Sequence, residues 1–388
     1  MKKRTIYLNN AATTWPKPRC VVEAVLRAME DLAGTPGRAV TSGLECERAI
    51  FHAREEAARF IGASDSSRVI FTPNATAALN LAITGLLKEG DHVVTTSMDH
   101  NSVARPLKRA ADEKGVEVRR LELSPAGTME AAGIMDMISP NTRLIVLTEA
   151  SNVTGSIQPV REVAGAVRAM GENRPLILVD AAQTAGVLPI NVEEDGVDLL
   201  AVPGHKSLYG PQGTGFLYIA PGVSLDPLME GGTGGRSELT RQPESLPDRF
   251  ESGTPNTPGI VALGKALKFL SDRGLEKIRE EEIRLMDILM DGLTGIRGVA
   301  LFGPHDPMKR VGVLSFNVEG MDPAEVGSFL ETTRGIILRV GLHCSPHSHR
   351  TIGTFPEGTV RISTGIFNTE GEIIELVQGV KDLLRARG

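Results

Sequence analysis

An aspartate and a lysine in the middle of the chain are the residues best placed to do chemistry. Asp180 ends the apolar run 176–179, and Lys206 follows the apolar run 198–202 after Pro-Gly-His. Neither run alternates with polar residues, so both are predicted to be strands buried on both faces of a parallel sheet. Ligands of open α/β sheets lie beyond the carboxyl ends of such strands, and we therefore expect Asp180 and Lys206 to face one crevice.

A lysine and an acid in one crevice are the pair that pyridoxal 5′-phosphate (PLP) requires. The lysine amine forms a Schiff base with the cofactor, and the carboxylate keeps the pyridine nitrogen protonated, so that the ring accepts electrons from a substrate. The same two residues also fit a plainer interpretation, in which Asp180 caps a helix and Lys206 is a surface lysine. The motifs around them favour the PLP site.

A third reactive side chain, Cys344, follows the predicted strand 336–340 and lies in a loop with His, Ser and Pro around it. Arg339 and His343 are close in sequence, and nearby positive charge favours the thiolate form of a cysteine. This pattern is typical of an exposed nucleophilic thiol. A loop cysteine with no part in catalysis fits the same pattern, and the residues alone leave both interpretations open.

Composition limits the class of protein. The 388 residues are 41% hydrophobic and 23% charged with a net charge of −6, which is typical of a globular enzyme and gives no indication of a nucleic-acid partner. Three scattered cysteines do not form a disulfide framework and fit a reducing compartment; we interpret Cys20 and Cys46 as packing residues. We expect no signal peptide and no membrane span, and hence a cytoplasmic protein.

The predicted elements divide the chain into two parts. Strands alternate with crossover helices between residues 68 and 218, which predicts a mostly parallel, doubly wound sheet in an α/β fold. Helices and strands of an α+β module follow it. We predict a large domain of residues 15–258 and a smaller domain of residues 1–14 and 259–388, which carries the Cys344 loop.

Several motifs together resemble one known family. VDAAQ, GHKSLYGPQGTG, SNVTG and RVGLHC are similar to the motifs of the class V aminotransferases, which are PLP enzymes of fold type I. Within that family they are most similar to the cysteine desulfurases and selenocysteine lyases. The resemblance extends from YLNNAATT at Tyr7 to FNTEGEI near the C-terminus. It implies the fold type I architecture and PLP as the cofactor.

A phosphate site is predicted where a strand turns into a helix. Backbone N–H groups at a helix N-terminus bind anions, and we assign the turn 73–76 to the PLP phosphate, with Thr76 as a donor; Thr76 also fits a plain N-cap. The resemblance adds His205 as a phosphate contact. The family commonly has Thr where this chain has Ala75 and Ser where it has Pro203, so two hydroxyl contacts of the cofactor site are absent.

The resemblance also assigns residues around the cofactor ring. His100 stacks on the ring and relays protons, Gln183 bonds the ring oxygen, and Asn152 contacts either that oxygen or the substrate carboxylate. From the residues alone, His100 fits a turn position and Asn152 fits an Asx turn equally well.

For the substrate, the resemblance implies an arginine fork for a carboxylate, with Arg361 binding it and Arg339 assisting; a surface strand residue is the alternative for Arg361. The implied reaction converts L-cysteine to L-alanine. Lys206 and His100 move protons, and Cys344 takes the sulfur as a persulfide. The short segment around Cys344 resembles the type that passes its persulfide to a partner protein or a reductant.

The resemblance implies a homodimer as well, because the stretch 250–257 reaches the partner's site in fold type I enzymes and Thr254 would touch phosphate there. Three alternatives to a cysteine desulfurase stay open: a selenocysteine lyase, another PLP aminotransferase or lyase in which Cys344 is incidental, and a non-catalytic PLP-binding scaffold. The sulfur acceptor also stays open, with iron–sulfur cluster assembly, tRNA thiolation and selenium supply all using this chemistry.

Overall fold

A computed structural model describes residues 5–32, 34, 36, 41–235 and 238–387. The strands, in chain order, are β1 (Ile6–Tyr7), β2 (Val69–Thr72), β3 (His92–Thr96), β4 (Glu117–Leu121), β5 (Thr142–Thr148), β6 (Leu176–Asp180), β7 (Leu199–Pro203), β8 (Gly215–Ile219), β9 (Val299–Phe302), β10 (Val313–Val318), β11 (Ile336–Ile337), β12 (Arg339–Gly341) and β13 (Thr359–Ser363). The helices are α1 (Arg19–Asp31), α2 (Thr41–Phe60), α3 (Ala75–Leu86), α4 (Asn101–Lys114), α5 (Ala131–Met135), α6 (Val160–Arg168), α7 (Thr257–Arg273), α8 (Leu275–Leu293), α9 (Pro323–Arg334), α10 (Pro346–Thr351) and α11 (Glu370–Arg387).

The large sheet has seven strands in the order β2-β8-β7-β6-β5-β3-β4. All neighbours are parallel except β8, which runs antiparallel to both β2 and β7. In the register, Thr148 lies opposite Asp180 and Asp180 opposite Ala201, so β5, β6 and β7 end at one edge. The predicted doubly wound, mostly parallel sheet is confirmed, and its carboxyl edge collects the chain segments that carry the site.

Apolar helices cover both faces of this sheet, as the unbroken apolar runs of its central strands require. One face packs against α2, α6 and α7, and the other against α3 and α4. The central strands β5, β6 and β7 are buried almost throughout. A rigid, close-packed sheet therefore fixes the positions of the loops at its carboxyl edge.

The smaller module is a four-stranded antiparallel sheet in the order β12-β13-β10-β9, packed against α8, α9 and α11. The sequence predicted one strand over 336–340, but the structure has two: β11 pairs with β1, and β12 pairs with β13. Strand β9 was not predicted from the sequence. The split matters because β12 turns Arg339 toward the site beside β13.

The boundary between the two predicted domains stays a prediction, and residues 1–4 of the smaller domain lie outside the described residues. The packing of helix α7 indicates where this boundary lies. Leu263, Leu267 and Leu270 of α7 belong to the core of the large sheet. This packing favours a boundary near Gly274, after α7, over one after residue 258.

Cys46 is buried as predicted, but Cys20 is exposed on α1, so its interpretation as a packing residue is wrong. In the described part of the chain, no helix combines the length and the apolar character that crossing a membrane requires.

Candidate active site

A cavity of about 190 Å³ opens at the carboxyl edge of the large sheet, where the smaller module meets it. It brings together ten of the twelve residues that the sequence analysis assigned to the site: Ala75, Thr76, His100, Asn152, Asp180, Gln183, His205, Lys206, Arg339 and Arg361. Cys344 joins them through a hydrogen bond from Arg339, described below. Thr254 lies elsewhere.

A larger cavity of about 420 Å³ lies behind the loop after Lys206, but its lining contains no lysine or cysteine. Its three acids are already paired with arginines: Glu281 with Arg273, Glu282 with Arg279, and Glu370 with Arg284. We therefore place the chemistry in the smaller cavity.

Asp180 and Lys206 occupy the positions that the strand ends predicted. Asp180 is the last residue of β6 and is 3% exposed; its carboxylate accepts a hydrogen bond from the Ala182 N–H at 3.0 Å. Burial raises the pKa of Asp180, while the Lys206 charge acts to lower it. Burial lowers the pKa of Lys206 to about 8, and Asp180 partly opposes that shift. The lysine amine is therefore much easier to deprotonate than an exposed one.

The backbone beside Lys206 is held by the N-terminal segment. The His205 carbonyl oxygen accepts hydrogen bonds from the Thr13 and Thr14 hydroxyls and from Lys17 Nζ, at 3.2, 3.1 and 2.9 Å. The Thr14 hydroxyl also lies 2.9 Å from the Lys206 carbonyl oxygen. The family resemblance covers the start of this segment, but sequence reasoning missed its role beside Lys206. Its run of small polar residues was the available signal.

The phosphate region differs in one detail from the prediction. Asn74, not Thr76, is the N-cap of α3, since its side chain accepts from the Ala77 N–H at 2.9 Å. The N-cap alternative for Thr76 is therefore wrong, and its hydroxyl instead bonds Ser102 Oγ at 2.8 Å. Ala75 lines the cavity without a hydroxyl group.

His205 lines the same region, and its Nδ1 is buried without a hydrogen-bond partner among the described residues. Burial and the charges of Lys206 and Lys17 lower the pKa of His205 to about 4, so the ring is neutral. A buried polar atom without a partner is costly. An anionic group such as the PLP phosphate, bound at the start of α3, would give this atom one.

His100 has a defined tautomer in the structure. It caps α4, and its Nδ1 accepts a hydrogen bond from the Ser102 N–H at 3.0 Å. Burial and the Lys206 charge lower its pKa to about 3, so the ring is neutral and carries its proton on Nε2. In this state His100 donates from Nε2 and is a weak base. Its capping role and its place in the cavity are compatible.

Ser102 is a site residue that sequence reasoning missed. Its hydroxyl lies 2.9 Å from His100 Nδ1 and 2.8 Å from Thr76 Oγ1, and the residue lines the cavity. It thereby joins the ring position to the phosphate position. A small polar residue in the first turn of α4 was the only signal.

Asn152 and Gln183 lie in the loops that follow β5 and β6. The Asn152 side chain does not form an Asx turn, and that alternative is wrong: Ser151 Oγ accepts from the backbone N–H groups of Val153 and Thr154 instead. Asn152 Nδ2 donates to the His343 carbonyl oxygen at 2.7 Å. Gln183 Nε2 donates to the Ala11 carbonyl oxygen at 3.2 Å.

Arg361 is a buried residue of β13, only 1% exposed, so the surface alternative is wrong. Its Nη1 donates to the Asn152 carbonyl oxygen at 2.9 Å, and its Nε has no partner among the described residues. Burial lowers its pKa to about 9. Arg339 lies directly opposite Arg361 in the β12–β13 register. Like charges placed opposite one another are unfavourable, and a bound carboxylate would relieve their repulsion.

Cys344 is exposed, and its sulfur accepts a hydrogen bond from Arg339 Nη2 at 3.3 Å. The sequence suggested that the neighbouring His343 favours a thiolate, but the structure does not support this. The His343 ring is buried, Nε2 lies 3.0 Å from Thr359 Oγ1, and burial lowers its pKa to about 2. His343 is therefore neutral, and the positive charge near the sulfur comes from Arg339, which contacts it, and from Arg361 and Lys206.

Thr254 is exposed and lines separate cavities, near Gly232, Phe51 and Met229, outside this chain's own site. Within one chain the structure does not bring it to the other predicted residues. Its contact with a partner's cofactor stays a prediction.

Comparisons with known proteins agree on one family. The sequence model described as Aminotransferase class-V matches residues 6–376. A probable cysteine desulfurase of Methanothermobacter thermautotrophicus is 35% identical over 97% of this chain and 94% of its own length. A cysteine desulfurase of Yersinia pestis is 31% identical over 99% and 94%.

Solved structures agree with these relatives. The apo structure of a cysteine desulfurase from Thermococcus onnurineus is similar with a TM-score of 0.91 and 30% identity, covering 98% of this chain and 95% of that one. A cysteine desulfurase from Escherichia coli has a TM-score of 0.87 and 27% identity, covering 98% and 95%.

Proposed function

We propose that this chain, which belongs to the class V aminotransferase family of PLP-dependent enzymes, is a cysteine desulfurase. It takes the sulfur of L-cysteine onto Cys344 as a persulfide and releases L-alanine. The observation that carries the proposal is the hydrogen bond from Arg339 to the Cys344 sulfur. It places a thiol beside the arginine pair that fits a substrate carboxylate.

The residues present fit PLP. Lys206 would hold it covalently, Asp180 would keep its ring nitrogen protonated, and Thr76 and His205 would hold its phosphate. When bound, PLP supplies an electron sink that weakens the carbon–sulfur bond of the substrate. The absence of hydroxyls at Ala75 and Pro203 leaves this assignment intact, since Ser102 and the free His205 Nδ1 add polar groups to the same cavity.

Two arginines bind and orient the substrate. Arg361 is fixed in β13, with Nη1 bonded to the Asn152 carbonyl oxygen, Nη2 bonded to Asn9 Oδ1 at 3.3 Å and Nε without a partner among the described residues, so its guanidinium keeps donors for a carboxylate. Arg339, which lies opposite Arg361 and donates to the Cys344 sulfur, would pair with the same carboxylate. Holding the substrate by its carboxylate fixes the direction of its side chain.

Proton movements fall to two groups. With a pKa near 8, the Lys206 amine can hold or release a proton at Nζ close to neutral pH. His100 holds a proton at Nε2 because its Nδ1 is occupied by the Ser102 N–H. Lys206 is therefore the principal base and acid, and His100 is a hydrogen-bond donor.

Cys344 performs the sulfur transfer. Its thiolate attacks the substrate sulfur, so that a sulfur–sulfur bond forms and the bond from sulfur to Cβ breaks. The electron pair of the broken bond stays with the carbon fragment, which gains a proton and leaves as alanine. Arg339 stabilises the thiolate through the contact at 3.3 Å.

The proposal is tested by incubating the PLP-loaded protein with L-cysteine and a thiol reductant. We expect alanine and sulfide in equal amounts. A yellow protein that forms neither product from L-cysteine contradicts the proposal. Measuring kcat/KM for L-cysteine and L-selenocysteine side by side distinguishes a desulfurase from a selenocysteine lyase, which would process only the selenium substrate at a useful rate.

We also propose a homodimer in which Thr254 contacts the PLP phosphate of the partner subunit. The support is local: Thr254 is exposed, and the large apolar side chains Phe51 and Met229, 52% and 64% exposed, line the cavities around it. We expect light scattering to give twice the chain mass of 41.5 kDa and Thr254→Ala to weaken PLP binding severalfold. A monomeric, PLP-loaded protein would contradict this.

The exposed Cys344 suits transfer of its persulfide to a sulfur-acceptor protein or a small thiol in a reducing cytoplasm. Support comes from the cysteines, none of which forms a disulfide in the described part of the chain. An acceptor that supplies iron–sulfur cluster assembly fits this exposed sulfur.

A further inference from the structure

The backbone around Cys344 is held in an unusual conformation. His343 and Cys344 have φ angles of 49° and 62°, in the left-handed region that side chains other than glycine disfavour. Such strain persists only where surrounding contacts impose it, and it often occurs at functional sites. The loop therefore needs restraining contacts to keep Cys344 where it is.

The turn supplies one contact of its own, from the Ser345 N–H to the Leu342 carbonyl oxygen at 2.9 Å, and the loop after β5 supplies two more. Asn152 Nδ2 donates to the His343 carbonyl oxygen at 2.7 Å, and Asn152 Oδ1 accepts from the Ser345 hydroxyl at 2.7 Å. The Asn152 amide thus forms a hydrogen bond with each of the two neighbours of Cys344, His343 and Ser345. The Asn101 N–H adds a hydrogen bond to the Cys344 carbonyl oxygen at 2.9 Å.

These contacts are well shielded from water. Ser345 is fully buried and Asn152 is 6% exposed. Asn152 is in turn fixed by Arg361, which donates to its carbonyl oxygen at 2.9 Å. A buried hydrogen bond between neutral groups is worth most when both partners are rigid and dry.

We infer that Ser345 is a positioning residue for the sulfur transfer: its hydrogen bond to Asn152 holds the strained loop so that Cys344 meets the substrate sulfur. This inference rests on the proposed function. The inference extends the proposed function because Asn152 also lines the cofactor cavity. One amide therefore joins the loop of Cys344 to the cofactor site.

The chain offers a matched control three residues away. Ser348 is as buried as Ser345, but its hydroxyl has no hydrogen-bond partner among the described residues. Ser345→Ala and Ser348→Ala therefore remove the same atom from similarly buried places, and only the first removes the restraint.

Two measurements are made on the PLP-loaded protein. Hydrogen–deuterium exchange of the peptide 339–346 should become about tenfold faster in Ser345→Ala and stay unchanged in Ser348→Ala. The kcat for alanine release from L-cysteine should fall about tenfold with KM unchanged, since the arginines that bind the carboxylate are intact. A merely structural role would not give this split.

The outcomes separate this inference from the proposed function. Exchange in Ser345→Ala equal to the wild type overturns the restraint, whatever the activity, and faster exchange with an unchanged kcat overturns its catalytic role. If the wild type is inactive on L-cysteine, the function fails while exchange still tests the restraint. If Ser345→Ala does not fold, Asn152→Ala must speed exchange of the peptide 339–346, and its failure to do so overturns the restraint.

Discussion

Replacing Cys344 by alanine is expected to lower the rate of alanine and sulfide release from L-cysteine by more than about a thousandfold. The variant should still bind PLP and stay yellow. The reason is that Cys344 is the only cysteine whose sulfur contacts a residue of the cavity within the described chain, at 3.3 Å from Arg339. The side chain is exposed, so its loss leaves no buried hole, and the fold should be unaffected.

The matched control is Cys20→Ala, which removes another exposed thiol, from α1. It should leave kcat and KM unchanged. Mass spectrometry of the wild type after one turnover should find one additional sulfur on Cys344. If Cys344→Ala releases alanine at the wild-type rate, Cys344 is incidental and the chain is a PLP lyase or transaminase of another kind.

Replacing Lys206 by alanine is expected to remove the covalent attachment of PLP and to lower activity by more than about a thousandfold. Lys206 is the lysine that lines the cavity, and Asp180 at the end of β6 contributes the opposing charge. The visible absorption of the bound cofactor should shift to that of unattached PLP. Lys265→Ala, which changes an exposed lysine of α7, should change neither property.

The pH dependence of cofactor loading tests the same residue in the wild type. Only the neutral amine attacks PLP, and burial lowers the pKa of Lys206 from 10.5 to about 8. Loading of the PLP-free protein should therefore speed up about tenfold per pH unit below pH 8 and level off above it. A rate that continues to climb to pH 10 would show that the pKa of Lys206 is not lowered.

The sequence alone determined the fold class and most of the site. Unbroken apolar runs end in Asp180 and shortly before Lys206, and such runs have few folded solutions other than central parallel strands. Polar residues directly after these runs must then meet at one edge of the sheet. Ten residues named from sequence line one cavity, Asp180 and Lys206 through this pattern and others, such as Arg339 and Arg361, through the resemblance to the family. The pair of Asp180 and Lys206 suggested PLP as the cofactor, and the resemblance of the surrounding motifs decided against the plainer interpretation.

Contacts between segments far apart in the sequence needed the tertiary structure. His343 follows an arginine motif and precedes the thiol, yet its ring turns to Thr359 and is neutral. Ser102 joins Thr76 to His100, and nothing in its local pattern distinguishes it from an ordinary first-turn serine. Local spacing fixes which strand end a residue follows, but not which way its side chain turns.

The same limit applies to the restraint on the nucleophile. Asn152 and Ser345 are 193 positions apart, and their 2.7 Å hydrogen bond depends on how the smaller module docks on the large sheet. That docking is decided by the summed packing of many apolar side chains, and no local motif encodes it. The sequence determined the chemistry of the site, and only the packing of its two parts decided how Cys344 is aimed.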